Sequence, residues 1–359
     1  MTNSPRPNTI INSVAPIRIC DLGGWTDTWF AGHGRIFNIG VYPYADVQIA
    51  VYPTNAVEHR IIINAENFGE RFVVDPEKHS SKHGWQQHPL LEAAIEYMNI
   101  PDNLAVEVTI FSDAPVGAST GTSAAVTVAL LGGLDALTPG RMTPHEVALA
   151  AQKVETELLG QQCGIQDQLS SAYGGINYIE MHQYPYASVS PIHIPNEIWW
   201  ELERRLVLIY LGKSHSSSAV HEMVIHSLEN AGPDCAELTD LRQTAPLARD
   251  ALFAGDFSAL GNAMKVNTAA QQRLHPGLIS AETQKIIEIS RNFDVLGWKV
   301  NGAGGEGGSV TLLTGARSEV KRALIRAINA ENPLFQQIPI YLSRYGLRVW
   351  QQNFPNNSI

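Results

Sequence analysis

Alternating β-branched, apolar and polar positions mark Ser13–Cys20, Ala45–Tyr52, Arg60–Ala65 and Leu104–Phe111 as strands, so the first hundred residues read mainly as sheet. A helical rhythm follows. Val126 to Leu137 is apolar on every side, the pattern of a buried helix. Thr143 and Glu146, with Pro144 between them, form a capping box, and the helix it opens is expected to reach Leu159, where Gly160 stops it. A short helix over Ile165 to Ala172 comes next. Beyond the Trp199–Trp200 pair, Leu206–Tyr210 begins a run of strand, long helices and a final strand pair around Gly305. That change of rhythm predicts two domains, residues 1–200 and 201–359. There is no internal repeat, and only the Pro- and Asn-bearing tails look loose.

The 359 residues, 44% hydrophobic and 17% charged, describe a globular chain with ample core. The net charge of −10 argues against a nucleic-acid surface but leaves room for an anionic ligand in a local positive pocket. Cys20, Cys163 and Cys235 are too few and too widely spaced for a disulfide framework or a C-x-x-C metal knuckle, which points to a reducing, cytoplasmic setting. No secretory signal precedes Ile11 and no 18-residue apolar run crosses a membrane.

Four patches carry candidate chemistry. Pro115–Ala125 empties itself of bulk before the buried helix. Gly117 and Gly121 let backbone N–H groups turn inward, the helix N-terminus adds partial positive charge, and Thr122 and Ser123 supply hydroxyls for phosphate or a cation. A plain N-cap after a turn explains the same residues. Ala15–Asp27 is a strand running into a glycine turn, which places Arg18 and Asp27 near one mouth, or else makes a hairpin with a solvated Asp. Glu155 and Asp167 flank the Gly160 break, an arrangement suited to magnesium binding by one carboxylate and proton acceptance by the other; a capping Asp and an exposed Glu are the alternative. The last patch, Asn301–Ser309, has five glycines in the seven positions 302–308 and fits a hairpin closing over a ligand.

Several motif matches fail on context. Gly302, Gly304 and Gly307 satisfy G-x-G-x-x-G, but a strand follows where a dinucleotide site needs a helix. Gly117-x-Ser119-x-Gly121 matches a hydrolase elbow, yet Asp113–Pro115 interrupts the strand that would feed it and no HGGG-type segment lies upstream. His221 and His226 stand five apart, about 140° around a helix, so they cannot share one zinc. There is no P-loop motif.

In order and spacing these patches resemble the motifs of the GHMP kinase superfamily. Pro115–Ala125 is similar to its phosphate loop, with Ser119, Thr120 and Thr122 as departures. Gly23–Asp27 resembles the fucokinase and D-glycero-D-manno-heptose 7-phosphate kinase branch, and Cys163–Gln168 the segment carrying the catalytic Asp. The resemblance implies an α+β fold: an N-terminal ribosomal-protein-S5-like mixed sheet with helices, and a C-terminal ferredoxin-like half. It implies transfer of a phosphoryl group from ATP to a sugar hydroxyl, most often the anomeric one. The nucleotide would lie on Pro115, Gly117, Ala118, Ser119, Thr120, Gly121, Thr122 and Ser123, with Mg²⁺ on Ser123 and Glu155. Asp167 would accept or orient the sugar proton, with Arg18 keeping it ionised; Asp27 would grip sugar hydroxyls, with Gly24 and Trp25 beneath. Gly302–Gly308 would buttress the phosphate loop, with Gly304 and Gly305 near the substrate. L-Fucose is the favoured acceptor. A heptose 7-phosphate would need a second basic cluster, for which Lys213, His215 and Arg35 are candidates. A catalytically silent sugar-binding regulator and a hydrolase at Ser119 are the rivals from other classes, and a homodimer is left open.

Overall fold

The computed structural model describes residues 6–354 except 79, 139–140, 214–216 and 229–230. The loose-tail expectation for the extreme ends, residues 214–216 with the basic candidate His215, and the His221 side chain lie outside the described residues.

Two long strands, β1 (Thr9–Leu22) and β2 (Gly34–Pro53), run antiparallel and form the spine of the first sheet. β3 (Ile61–Ala65) and β4 (Glu70–Val73) follow, then helix α1 (Pro89–Met98) and β5 (Leu104–Ser112), which pairs antiparallel with β2 and parallel with β3. Helices α2 (Thr122–Asp135), α3 (Pro144–Lys153) and α4 (Gln166–Tyr173) precede β6 (Ile176–Gln183) and β7 (Tyr186–Pro191). Three of the four expected strands lie within these elements, and the fourth begins one residue later than expected, at Ile61 rather than Arg60. The apolar run after Ser123 forms α2, whose Val128, Ala129, Leu130 and Leu131 are wholly buried.

The capping box is present: Thr143 Oγ1 accepts from Glu146 N and Glu146 Oε2 accepts from Thr143 N. The helix does not stay regular to Leu159. α3 ends at Lys153 and continues as a π-helical turn over Val154–Leu158, where Leu159 N donates to Val154 O. A π turn rotates the helix faces, and here it brings Glu155 inward to 6% exposure.

The second half contains α5 (Asn196–Arg205), β8 (Leu206–Tyr210), α6 (Ser217–Leu228), α7 (Ala236–Phe253), α8 (Phe257–Leu274), α9 (Ala281–Arg291), β9 (Val295–Val300), β10 (Ser309–Thr314), α10 (Ser318–Glu331) and β11 (Gln336–Ile338). Its antiparallel sheet runs β11-β8-β10-β9, the order of a ferredoxin-like split β-α-β. Leu324 and Ile328 of α10 pack with Val207, Ile209, Val310 and Leu312 to make its core. The chain then returns: β12 (Tyr341–Leu342) pairs with β2 and β13 (Arg348–Asn353) with β1, joining the nine-stranded first sheet. A boundary at residue 200 does not anticipate that return. The architecture is α+β, two sheets with a seam where β1 meets β9.

Candidate active site

The loop from β5 to α2 carries three left-handed residues in five: Gly117 at φ 73°, Ser119 at 58° and Gly121 at 70°. For Ser119 that conformation is strained, so it persists only because its surroundings fix it. Arg18 Nη1 donates to Ser119 O, Arg18 N donates to Thr120 O at 2.9 Å, and Ser309 Oγ donates to Ala118 O at 2.6 Å. With its carbonyls held from behind, the loop runs into the N-terminus of α2, whose first N–H groups have no partner within the helix. Ser123 is exposed there, and Thr120 Oγ1 lies 3.2 Å from Thr122 Oγ1.

Arg18 joins this loop to the acid after the Gly160 break. Its Nε reaches Asp167 Oδ1 at 2.8 Å and its Nη2 reaches Oδ2 at 3.0 Å, a bidentate fork. Burial by itself would pull the Arg18 guanidinium down, but Asp167, with Asp21 and Asp27 behind it, holds it above its ordinary value. Gly121 makes the approach possible, since a Cβ there would stand 3.2 Å from Asp167 Oδ2 and 3.4 Å from Arg18 Cγ. Asp167 keeps 29% of its side chain exposed toward the cavity.

Two further carboxylates are more deeply buried. Asp27 Oδ2 accepts from Gln166 N at 3.0 Å, and burial raises its pKa to about 6 against that hydrogen bond. Glu155 Oε1 accepts from Gln168 Nε2 at 2.7 Å; burial, then the nearby Asp167 charge, raises it to about 7. Burial also pushes the Cys163 thiol well above its usual value, so it serves as an apolar wall rather than a nucleophile.

These groups line one cavity of about 530 Å³. One end has Trp25, Asp27, Glu155 and Asp167; the other has Asn67, Phe68, His88 and Val116, with Phe68 and Val116 more than half exposed. Asn67 is pinned by Ser112, donating to its O and accepting from its N, both at 2.8 Å. This flat, half-apolar end had no counterpart in the sequence reading, because isolated loop residues carry no periodic signal.

Gly117, Ala118, Ser119, Thr120, Gly121, Thr122 and Ser123 all face the cavity, as do Arg18, Trp25, Asp27, Glu155 and Asp167. Pro115, Gly24, Gly304 and Gly305 do not line it. Gly24 packs behind Asp21, and Gly305 N donates to Leu278 O at 2.9 Å, so within the glycine hairpin Gly302 and Ala303 reach the cavity instead. Of the basic candidates, Lys213 is paired with Glu282 at 3.0 Å and Arg35 with Glu180 at 3.7 Å, both away from the cavity; His215 lies outside the described residues. Among the described lining residues the one histidine is His88, whose Nε2 sits 2.7 Å from Glu70 Oε2 at the far end. Asp21 and Lys299 were missed outright. Their signal was present: Lys299 is the one charge of β9 and Asp21 the one carboxylate of β1, and the signs are opposite.

The family model of the GHMP kinases N terminal domain matches residues 89–175, and that of GHMP kinases C terminal matches residues 248–330. A mevalonate kinase from Thermococcus sibiricus is 31% identical over 251 residues, covering 68% of this chain and 69% of its own. The bifunctional fucokinase/GDP-fucose pyrophosphorylase of Arabidopsis thaliana is 25% identical over 313 residues; the match covers 83% of this chain but only 29% of that longer protein. Among solved structures, a D-glycero-D-manno-heptose 1-phosphate kinase from Bacteriodes thetaiotaomicron superposes with a TM-score of 0.70 at 22% identity, over 95% of this chain and 98% of its own. With both family models matching in order and a relative 31% identical over two thirds of its length, the chain belongs to the GHMP kinase family, phosphotransferases that use ATP to phosphorylate a hydroxyl group.

Proposed function

We propose that this protein transfers the γ-phosphoryl group of ATP to a hydroxyl of a neutral sugar, the anomeric hydroxyl of a monosaccharide such as L-fucose. The observation that carries the reading is the Arg18–Asp167 fork, which ties the phosphate loop to the acid-lined end of the same cavity. The triphosphate lies along Gly117–Ser123, met by backbone N–H groups and the α2 N-terminus. The base rests against Phe68, Val116 and Asn67. The division near residue 200 then separates a nucleotide-bearing unit from one that supplies the glycine hairpin.

At the other end Asp27 accepts hydrogen bonds from sugar hydroxyls and the Trp25 ring forms the apolar floor. Asp167 orients the attacking hydroxyl and receives its proton, while Arg18 faces the charge on the transferred group. Charge decides between acceptors. Arg18 is the one Lys or Arg among the described lining residues, and it is already committed to Asp167, so a second phosphate on the sugar would meet carboxylates without a cation.

A magnesium ion fits the residues present. Glu155 is a buried carboxylate with burial working against its charge, only one of its oxygens accepts a side-chain hydrogen bond, and Ser123 offers a hydroxyl. No group of three or more His, Cys, Asp or Glu among the described residues is arranged to hold a metal alone, which suits an ion that takes most of its oxygen shell from phosphates and water. Bound there, it would screen the charge on the phosphoryl oxygens.

A sugar panel tests the reading. Magnesium-dependent ADP release is expected with L-fucose or another unphosphorylated sugar, and not with its methyl glycoside. Preference for a heptose 7-phosphate would overturn the neutral-acceptor assignment. Ester hydrolysis without nucleotide would favour Ser119 chemistry, and sugar-induced melting shifts without turnover would favour a silent regulator.

A further inference from the structure

At the seam between the two sheets lies a buried polar node, of which Asp21 also lines the cavity while Lys299 and Gln271 stand behind it. Lys299 of β9 is 1% exposed, and its Nζ donates to Asp21 Oδ1 at 3.3 Å, to Gln271 Oε1 at 3.3 Å and to Val300 O. Asp21 of β1 is equally buried, and both its oxygens lie 3.1 Å from Gly302 N. Gln271, one of the buried polar residues of α8, closes the ring by donating from Nε2 to Gly302 O at 3.1 Å. Beside it Cys20 holds a left-handed φ of 55°, its N–H donating to Asn301 Oδ1 at 3.1 Å. A strained residue next to two buried charges is costly unless the arrangement does something.

What the node holds is Gly302. At φ 58° this glycine lies so near the catalytic groups that a Cβ on it would stand 3.0 Å from Ser119 O and 3.2 Å from Arg18 Nη2. Ser119 O is also the acceptor of Arg18 Nη1. One contact chain therefore runs from Lys299 through Asp21 and Gly302 to Ser119 and Arg18, and on to Asp167.

We propose that Asp21 and Lys299 are positioning residues for phosphoryl transfer, fixing Gly302 against Ser119 so that the Arg18–Asp167 fork faces the nucleotide at one set distance. The inference rests on the roles proposed above for Arg18 and Asp167. Opposite charges are needed because both groups are about 1% exposed: without Asp21 the Lys299 ammonium is an uncompensated buried charge, and without Lys299 Asp21 is left with Arg18, which Asp167 already holds, whereas a neutral pair buries neither. Asn in place of Asp21 could still accept from Gly302 N–H, so neutralising both partners should restore much of what either single change loses.

Steady-state kinetics and melting of Asp21→Asn, Lys299→Met and the double variant test this, with Asp167→Asn alongside. Each single variant is expected to lower kcat by about tenfold or more while KM for ATP and sugar moves less than about threefold, and the double variant to regain about fivefold over either single. Gln271→Ala should lower kcat by about threefold. The proposal is overturned if folded single variants keep kcat within about twofold of the parent, or if the double loses the product of the two single losses. A change in KM for ATP alone, with kcat kept, would also overturn it. Should a single variant fail to fold, the double, which buries no lone charge, and Gln271→Ala decide. An active Asp167→Asn would instead defeat the reading of the site itself, an outcome separable from the failure of the pair.

Discussion

On the function proposed above, the two ends of the cavity bind by opposite means. The nucleotide end is built from backbone: left-handed turns at Gly117, Ser119 and Gly121 and a helix N-terminus, with no carboxylate among residues 117–123. The acceptor end is built from buried side-chain charge, with Asp27 and Glu155 at 3% and 6% exposure and Asp167 clasped by Arg18. Backbone dipoles suit a ligand that arrives with its own negative charge, and buried acceptors suit one that arrives with neutral hydroxyl donors. The difference also separates what mutation can do at each end. Removing one side chain barely alters a backbone nest, whereas at the acceptor end each carboxylate is a discrete part.

The sharpest break is expected at Asp167, where the two ends meet. Asp167→Asn leaves Arg18 facing an amide and removes the proton acceptor, so kcat should fall by about 10²–10⁴-fold while ATP affinity, measured by titration calorimetry, stays near the parent. Turnover close to the parent's would show that the fork only holds the loop in place. A smaller, one-sided effect is expected at Asp27. Asp27→Asn should raise KM for the sugar by about 10–100-fold and leave KM for ATP nearly unmoved. Gly164→Ala should act the same way, because a Cβ there would stand 1.9 Å from Asp27 Oδ2 and must push the carboxylate aside. If both Michaelis constants rose together, the division of the cavity into two separable ends would be wrong.

The same contrast governs how much was legible in the chain. The nucleotide end is contiguous, so Gly117 to Ser123 and the helix behind them could be recognised from local chemistry alone. The acceptor end is assembled across distance. Arg18 and Asp167, 149 positions apart, could be singled out as residues, but their bidentate geometry depends on where β1 and α4 dock. Glu155 faces inward only because a π turn interrupts its helix, a change of register that a 3.6-residue period does not contain. Among the hairpin glycines composition could not choose: Gly304 and Gly305 pack toward Leu278 while Gly302 alone approaches Ser119. The return of β12 and β13 to the first sheet is likewise a long-range pairing with no local sign.

The smallest expected effect concerns stability, and it tests whether the acceptor end is held under electrostatic strain. Glu155 has its pKa raised from 4.5 to about 7, chiefly by burial, and Asp27 from 3.8 to about 6. A folded value above the unfolded one means that the folded state holds the proton more tightly. The stabilisation is therefore complete below the unfolded value and is lost as pH rises through the folded one. For Glu155 that window runs from about pH 4.5 to about 7, over which the ligand-free protein should lose roughly 3 kcal/mol. Its melting temperature should accordingly fall by several degrees between pH 5 and pH 8. Glu155→Gln removes the titrating group while keeping a similar shape beside Gln168, so the variant should melt higher than the parent at pH 8 and show a shallower slope. Adding magnesium and ATP should raise the parent's melting temperature at pH 8 more than the variant's, because a cation at the carboxylate offsets the charge that burial disfavours. Equal slopes in the two proteins would mean that water reaches Glu155 freely, and equal magnesium responses would place the cation away from it.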